Sequence, residues 1–360
     1  MNLPRITILA TLLLTAPAAA QLQITPPATT PSPPAERQKP KAPPPAKKKE
    51  AAPAPKPSAS PKPAASPKPQ LPATVIPAPP TDTPGVDLVF GAYQRGQYKT
   101  AFDLATARAQ AGDPKAMTML GELYSNAMGI RRDYAKALEW YKRAADAGDR
   151  EAMFALAMLR ISGRGGPVDK GEAVKLMASA AKLGEPKAAY NLALLYLDGQ
   201  TLPQDVKRAA ELLRQAADAG LPEAQYALAT FYKEGTGVPK DPERAVRLLQ
   251  AASLADNVDA EVEYAIAMFN GTGTPKNQPA AVALLRKAAR QGSAIAQNRL
   301  AWVLINGMGV PADKIEGFKW HLVAKTAGKG DPDLDKQLSD LPAEDRAKVE
   351  AAARKWLGTK

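Results

Sequence analysis

Cysteine is absent from this chain of 360 residues, and histidine occurs once, at His321. The absence of cysteine excludes disulfides and thiolate metal sites. The acidic residues show no metal-ligand spacing, and aromatic residues make up only 6% of the chain. The sequence therefore predicts no catalytic centre, no cofactor and no metal site.

Long apolar runs are also missing, except for residues 6–14 near the N-terminus. One positive charge, Arg5, precedes this run, and three alanines, residues 18–20, follow it. This order is typical of a cleaved export signal, so we expect residues 1–20 to be removed and the mature chain to begin at Gln21. The expected location is the periplasm. The alternative is an inner-membrane anchor formed by an uncleaved signal, although the run is shorter than the roughly 20 residues that a spanning helix needs.

Residues 21–84 are rich in proline, alanine and lysine and lack apolar periodicity, which predicts a disordered linker. Pro-Lys-Pro recurs every six residues in PKPSASPKPAASPKP, residues 55–69, which favours extended polyproline II. This linker has a net charge of +6, half of the chain's formal +12. A basic nucleic-acid-binding face on the folded part is correspondingly disfavoured, so nucleic acid is an unlikely partner.

The remainder of the chain repeats every 36 residues, with six units that open at Ala116, Ala152, Ala188, Ala224, Ala260 and Ala296. One loop, GTGVPKD at residues 235–241, has the glycines and lysine of a phosphate-binding loop. In the six units, however, the lysine position reads Arg, Val, Gln, Lys, Lys and Ala. We interpret the loop as a structural turn, with Asp or Asn capping the next helix.

Each unit is predicted to form two antiparallel helices. The second helix has apolar residues at i, i+3, i+4 and i+7, as in Ala209, Leu212, Leu213 and Ala216, which makes one continuous stripe. No single pair can bury both faces, so neighbouring units must stack. The predicted fold is an all-α, right-handed solenoid of stacked antiparallel helix pairs. It occupies residues 85–331, including one short leading unit, and two capping helices are expected in residues 332–360.

Residues 116–149, AMTMLGELYSNAMGIRRDYAKALEWYKRAADAGD, resemble the Sel-one-like repeat, a relative of the tetratricopeptide repeat. The match includes the family elements A-x3-LG-x2-Y, KA-x2-WY-x2-AA and AG-D. This resemblance implies an adaptor in signalling, secretion or envelope assembly. Some relatives have been linked to antibiotic hydrolysis, but those are cysteine-rich, so a hydrolase is only a minority alternative. Three departures, Arg160, Asp256 and Gly317, suggest weaker packing near units two and six.

A binding surface is predicted on the first helices, opposite their core stripe. At about 100° per residue, unit positions 3, 7 and 10 lie on this side. Side chains here that the core does not require have the composition of a groove for a protein or an extended peptide. The candidate groove residues are Phe154, Met158, Tyr190, Leu194, Tyr226, Lys233, Phe269, Asn298 and Trp302. The competing interpretation is that stacking buries some of them between units.

The sequence thus favours a non-enzymatic envelope scaffold that binds a protein or peptide partner. His321 shares its repeat position with Tyr141 and Leu213, so we interpret it as a packing residue rather than a catalytic one. The alternative function is a cell-wall (peptidoglycan) ligand module in which the basic linker contacts an anionic polymer through salt-sensitive attraction.

Overall fold

The computed structural model describes residues 87–358. The predicted export signal (1–20) and linker (21–84) lie outside the described residues. Within these residues all regular secondary structure is helical, and sixteen helices pack as consecutive antiparallel pairs. The helices are α1 Leu88–Gln94, α2 Tyr98–Gln110, α3 Pro114–Asn126, α4 Tyr134–Asp146, α5 Arg150–Ser162, α6 Lys170–Lys182, α7 Pro186–Asp198, α8 Val206–Asp218, α9 Pro222–Glu234, α10 Pro242–Leu254, α11 Val258–Asn270, α12 Gln278–Arg290, α13 Ala294–Asn306, α14 Lys314–Thr326, α15 Pro332–Ser339 and α16 Ala343–Gly358.

The second helix of every unit begins at the predicted Asp or Asn cap. In each unit this side chain accepts a hydrogen bond from the backbone N–H three residues later, as Asp133 Oδ1 does from Lys136 N at 3.0 Å. The bond satisfies one of the N–H groups that the first turn of a helix leaves without a partner. The remaining caps are Asp169, Asp205, Asp241, Asn277 and Asp313.

The first helix of a unit ends on a residue in the left-handed conformation. In five units this residue is glycine, as at Gly235 with φ 80°, which has no Cβ to clash. In unit one it is Ala127, with φ 57°. Asp256 adopts the same φ at the end of a second helix, where the other units have glycine.

Small residues at fixed repeat positions let neighbouring helices approach closely. Ala137, Ala209 and Ala281, for example, begin the apolar stripe of their second helices and are fully buried. Two large apolar clusters result, one extending from Ala157 to Ala260 and the other from Val262 to Val349. The core therefore continues along the repeats from unit to unit.

The prediction of weaker packing at Gly317 is wrong. A Cβ at this position would lie only 2.6 Å from Ile305 Cγ1 and 3.1 Å from the Ile305 backbone nitrogen. Glycine therefore permits a closer approach of α13 and α14 than alanine would allow.

Beyond the sixth unit, α16 occupies the place of a further neighbouring helix. It packs extensively on α14, whereas α15 makes little contact with α14. The rings of Trp320 on α14 and Trp356 on α16 meet edge to face, with centroids 4.9 Å apart. Val349 of α16 and Leu334 of α15 are fully buried in the second apolar cluster. These contacts cover the last helix pair of the array.

Candidate functional site

Five of the nine predicted groove residues lie at repeat positions 3 and 7 of three consecutive first helices, α5, α7 and α9. All five are partly exposed, and all but Leu194 also pack in part against the first apolar cluster. We call this set the open surface; it comprises Phe154, Met158, Tyr190, Leu194 and Tyr226. Its members combine apolar bodies with two hydroxyl groups, the composition of a protein-contact patch.

The side chain at position 3 faces the start of the next unit's first helix. In unit one, Thr118 Oγ1 donates to Asp149 Oδ1 at 3.0 Å, and Asp149 caps α5. In unit three, burial raises the pKa of the Tyr190 hydroxyl, and the nearby Glu223 carboxylate adds to this effect. In both units the position-3 side chain thus lies beside an acidic residue at the edge of the following unit.

Tyr226 repeats this arrangement one unit further along. Burial raises the pKa of its hydroxyl, and the carboxylates of Glu263 and Asp259 raise it further. Both tyrosines are therefore neutral hydrogen-bond donors over the whole physiological range. Glu223 and Asp259 are exposed, so their carboxylates give the edge of the open surface, which we call the rim, a negative charge. This charge favours a ligand that carries cations.

Three predicted groove residues are not accessible. Phe269, Asn298 and Trp302 are only 2%, 6% and 5% exposed. Phe269 and Trp302 belong to the second apolar cluster. These three residues are therefore buried and cannot line an accessible groove.

The segment that follows α14 covers the buried positions of α13. Trp302 Nε1 donates to Asp331 Oδ2 at 2.8 Å, and Asn298 Nδ2 donates to the Lys329 carbonyl at 3.4 Å. The other carboxylate oxygen of Asp331 caps α15 through the backbone N–H of Asp333 at 3.0 Å. We call Trp302, Asn298 and the segment from Lys329 to Asp331 the closed end.

A series of charged residues lies between the open surface and the closed end. Lys233, the ninth predicted groove residue, is exposed, and its Nζ pairs with Glu263 Oε2 at 2.8 Å. Beyond Glu263 lies Arg299, which is buried; burial lowers the pKa of its guanidinium to about 10, opposed by Glu263 and Asp331. Arg299 Nη1 also donates to Asn298 Oδ1 at 3.0 Å.

Glu263 and Arg299 were missed in the sequence because they occupy unit position 4, outside the three positions assigned to the groove. A signal was nonetheless present. The same position holds Met119, Ala155 and Ala227 in other units, so a charge there is a departure from the repeat.

His321 is fully buried, as expected for a packing residue. Its Nε2 lies 2.8 Å from Oδ1 of Asp335, which also accepts from Lys325 Nζ at 2.8 Å. Lys325 and His321 together lower the pKa of the Asp335 carboxyl. This contact joins α14 to α15 and lies away from the open surface.

Metal centres and membrane spans are not found within residues 87–358. No cluster of three or more His, Cys, Asp or Glu side chains in this part of the chain is arranged to hold a metal ion. Among the same residues, no helix is both long enough and apolar enough to cross a bilayer.

The model of the Sel1 repeat family matches six consecutive segments of the chain. They are residues 114–149, 150–185, 186–221, 222–257, 258–293 and 294–329. Each match contains one first helix and the second helix that follows it. A comparison with curated proteins found no match.

Two solved bacterial structures are similar to the chain. One is a protective antigen of uropathogenic Escherichia coli strains with an SLR fold, which is 26% identical, with a TM-score of 0.63 over 74% of this chain and 59% of the antigen. The other is a Sel1 repeat protein from Oxalobacter formigenes, 25% identical, with a TM-score of 0.56 over 66% of this chain and 94% of that one. The chain thus spans about three fifths of the antigen's length.

Proposed function

Because this chain belongs to the Sel1 repeat family, a protein-interaction scaffold type, we propose that it is a non-enzymatic scaffold whose open surface binds an extended segment of a protein partner. The observation that carries the proposal is the set of large, partly exposed side chains at positions 3 and 7 of α5, α7 and α9. All but Leu194 also pack in part against the first apolar cluster, yet each of the five keeps an exposed part that a partner can cover. Their burial in a complex would provide hydrophobic contact area.

The side chains of the open surface and its rim indicate which kind of peptide segment can bind there. Apolar side chains of the bound segment would contact Phe154, Met158 and Leu194. The hydroxyls of Tyr190 and Tyr226 can donate to its backbone carbonyls. The exposed carboxylates on the rim favour a segment with lysine or arginine near the tyrosines. We therefore propose an apolar segment flanked by cations.

We place this interaction in the periplasm, on the strength of the export signal in the sequence. The mature N-terminus should then be Gln21. N-terminal sequencing of the envelope form tests this step, and recovery of the chain with Met1 intact would contradict it.

The experiment for the open surface is site-specific photocrosslinking in cells. A photoreactive residue at Leu194, on the open surface, should capture a discrete protein. At Leu183, which is 50% exposed at the end of α6, it should not. The double variant Tyr190→Phe/Tyr226→Phe removes the two hydroxyl donors but keeps the rings that pack against the core, so it should weaken this capture while its melting temperature changes little. The matched control Leu183→Ala/Leu254→Ala removes exposed apolar side chains elsewhere and should bind normally.

The main alternative is the cell-wall ligand module, which the cationic linker favours. A chain without residues 22–84 distinguishes the two. Capture at Leu194 that survives this deletion supports the scaffold. If capture requires the linker, and salt releases the captured polymer, the open surface loses its assigned role.

A further inference from the structure

The loop between α3 and α4, residues 127–133, departs from its equivalents in the other five units. Where unit one has Arg131, every other unit has proline: Pro167, Pro203, Pro239, Pro275 and Pro311. Where it has Ala127, every other unit has glycine. Ala127 nevertheless adopts the left-handed conformation, which disfavours a residue with a Cβ. In unit one, alanine and arginine thus replace the glycine and proline that favour this turn in the other units.

The loop still closes in the same way as the others. Asp133 N donates to the Tyr124 carbonyl at 3.1 Å, and in unit two Asp169 N donates to the Arg160 carbonyl at 3.0 Å. The backbone therefore does not require arginine at position 131. In a repeat protein, a residue that departs from the repeat without structural need is a candidate for function.

Cations from two neighbouring loops gather around one aromatic ring. Arg132 Cζ lies 5.8 Å, and Arg164 Cζ 5.5 Å, from the centroid of the Tyr134 ring. Lys136 Nζ lies 5.3 Å from the centroid of the Tyr124 ring. Together with the exposed Arg131, these side chains form what we call the cationic patch: Arg131, Arg132, Lys136 and Arg164.

The patch is electrostatically unbalanced. Within residues 87–358, none of its four cations forms an ion pair. By contrast, Arg143 on the same helix as Lys136 pairs with Glu139 at 2.5 Å. The nearby Asp133 and Asp169 each use a carboxylate oxygen to cap the following helix. Both aspartates keep their negative charge, so the four cations leave the patch with a net positive charge that can attract an external anion.

An exposed apolar side chain accompanies the patch. Val168, in the same loop as Arg164, is 58% exposed. This loop lies directly on the start of α4, because a Cβ at Gly165 would be 2.3 Å from the Tyr134 carbonyl oxygen. Cations, a tyrosine and an exposed aliphatic residue are the combination that suits the interface of a lipid bilayer.

One of the two loops that form the patch also contacts the leading helix pair. The loop at Gly129 packs against Tyr98 and Lys99 at the start of α2. Residues 21–84, which precede the described chain, carry a net charge of +6. In the sequence, this cationic segment precedes the units that carry the patch.

We propose that the cationic patch docks the first two units on an anionic phospholipid surface. Arginine and lysine pair with lipid phosphates, and each cation near an anionic membrane strengthens binding about fivefold. Tyr134 and Val168 contribute interfacial contacts that a dissolved anion would not use. The open surface would then remain available for the partner proposed above, and neither proposal depends on the other.

The test is co-sedimentation of the protein, as purified from cells, with phosphatidylcholine vesicles that contain or lack phosphatidylglycerol. We expect binding only to the anionic vesicles. The variant Arg131→Gln/Arg132→Gln/Arg164→Gln should bind on the order of 100-fold more weakly, because three cations are lost. The matched control Lys207→Gln/Lys240→Gln/Lys276→Gln removes three exposed cations from units three to five and should bind nearly as well. Equal losses in both variants would overturn the proposal.

The variant Val168→Ser distinguishes binding to a lipid bilayer from binding to a soluble anionic polymer. It should weaken vesicle binding severalfold and leave binding to soluble polyglutamate unchanged. If the valine has no effect and polyglutamate binds as well as vesicles do, the ligand is an acidic polymer and the lipid assignment is wrong. All the substituted side chains are exposed or partly exposed, so circular dichroism should report an unchanged fold.

Discussion

Units two and six have equivalent helices, but residues at the same repeat positions differ in their exposure to solvent. At position 7, Met158 of unit two is partly exposed, whereas Trp302 of unit six is 5% exposed. On α13 of unit six, all residues from Ala296 to Ile305 are buried. In unit six, the segment from Lys329 to Asp331 bonds to Asn298 and Trp302 and so helps to bury them. Burial of this face already begins in units four and five, at Thr230, Val262 and Phe269. A repeat position therefore determines which side of the helix a side chain lies on. The residues packed against that side determine whether the side chain is exposed to solvent.

The strongest test of this comparison is truncation at position 7 in both units. Trp302→Ala should lower the free energy of unfolding by about 3–5 kcal/mol, because it removes a buried ring and its hydrogen bond to Asp331. Met158→Ala should cost about 1 kcal/mol, because its side chain is only partly buried. Urea denaturation followed by circular dichroism, with hydrogen exchange in α13, measures both. Equal costs would contradict the division into open and closed regions.

A smaller effect is expected at Asp331. Asp331→Ala should cost about 2 kcal/mol, because it removes both the acceptor for Trp302 and the N-cap of α15. Asp331→Asn keeps an oxygen that can serve either role and should cost less. Faster hydrogen exchange confined to α13 and α15 would identify the segment as the cover of the closed end. Loss of protection throughout the array would show a different role.

Ala127 extends the comparison to unit one. Ala127→Gly should raise the stability by about 1 kcal/mol, because glycine adopts a positive φ without the Cβ clash. Gly235→Ala, at the equivalent position of unit four, should lower it by a similar amount. Thermal unfolding of the pair provides the measurement. A loss of stability in Ala127→Gly would mean that the methyl group has a packing role in its loop.

The smallest effect depends on pH and concerns the contact between α14 and α15. Lys325 and His321 lower the pKa of Asp335 in the folded state, so this carboxylate stabilises the fold above the unfolded pKa of about 4. The contribution is lost as the pH falls through the lower, folded-state pKa. Asp335→Asn should therefore be less stable than the native chain at pH 7, and the difference should shrink at acidic pH. Urea titrations at several pH values would detect it, and a difference independent of pH would exclude the electrostatic origin.

The sequence predicted the helix pairs and their caps because the interactions responsible are local. A cap such as Asp133 bonds to a backbone N–H three residues away, and a positive φ at Gly235 is a property of one residue. The apolar stripe of a helix is similarly readable from its spacing. Helical geometry places all nine groove candidates away from the stripe, but only six of them, the open surface and Lys233, are exposed or partly exposed.

Other features required contacts between residues distant along the chain. Gly317 suggested loose packing in the sequence, but the backbone of Ile305 lies too close for a Cβ. The cationic patch joins loops from two units around Tyr134, which neither loop shows by itself.

The sequence by itself determined the 36-residue repeat, the pairing of helices and the family to which the chain belongs, because each depends on local bonding and regular spacing. Only the tertiary structure decided which repeat positions remain open. Exposure depends on contacts across units, such as that of Trp302 with Asp331, and on the segment that covers the last unit. The contact of Trp302 with Asp331 cannot be read from the period, because Asp331 caps α15, which lies outside the six repeats.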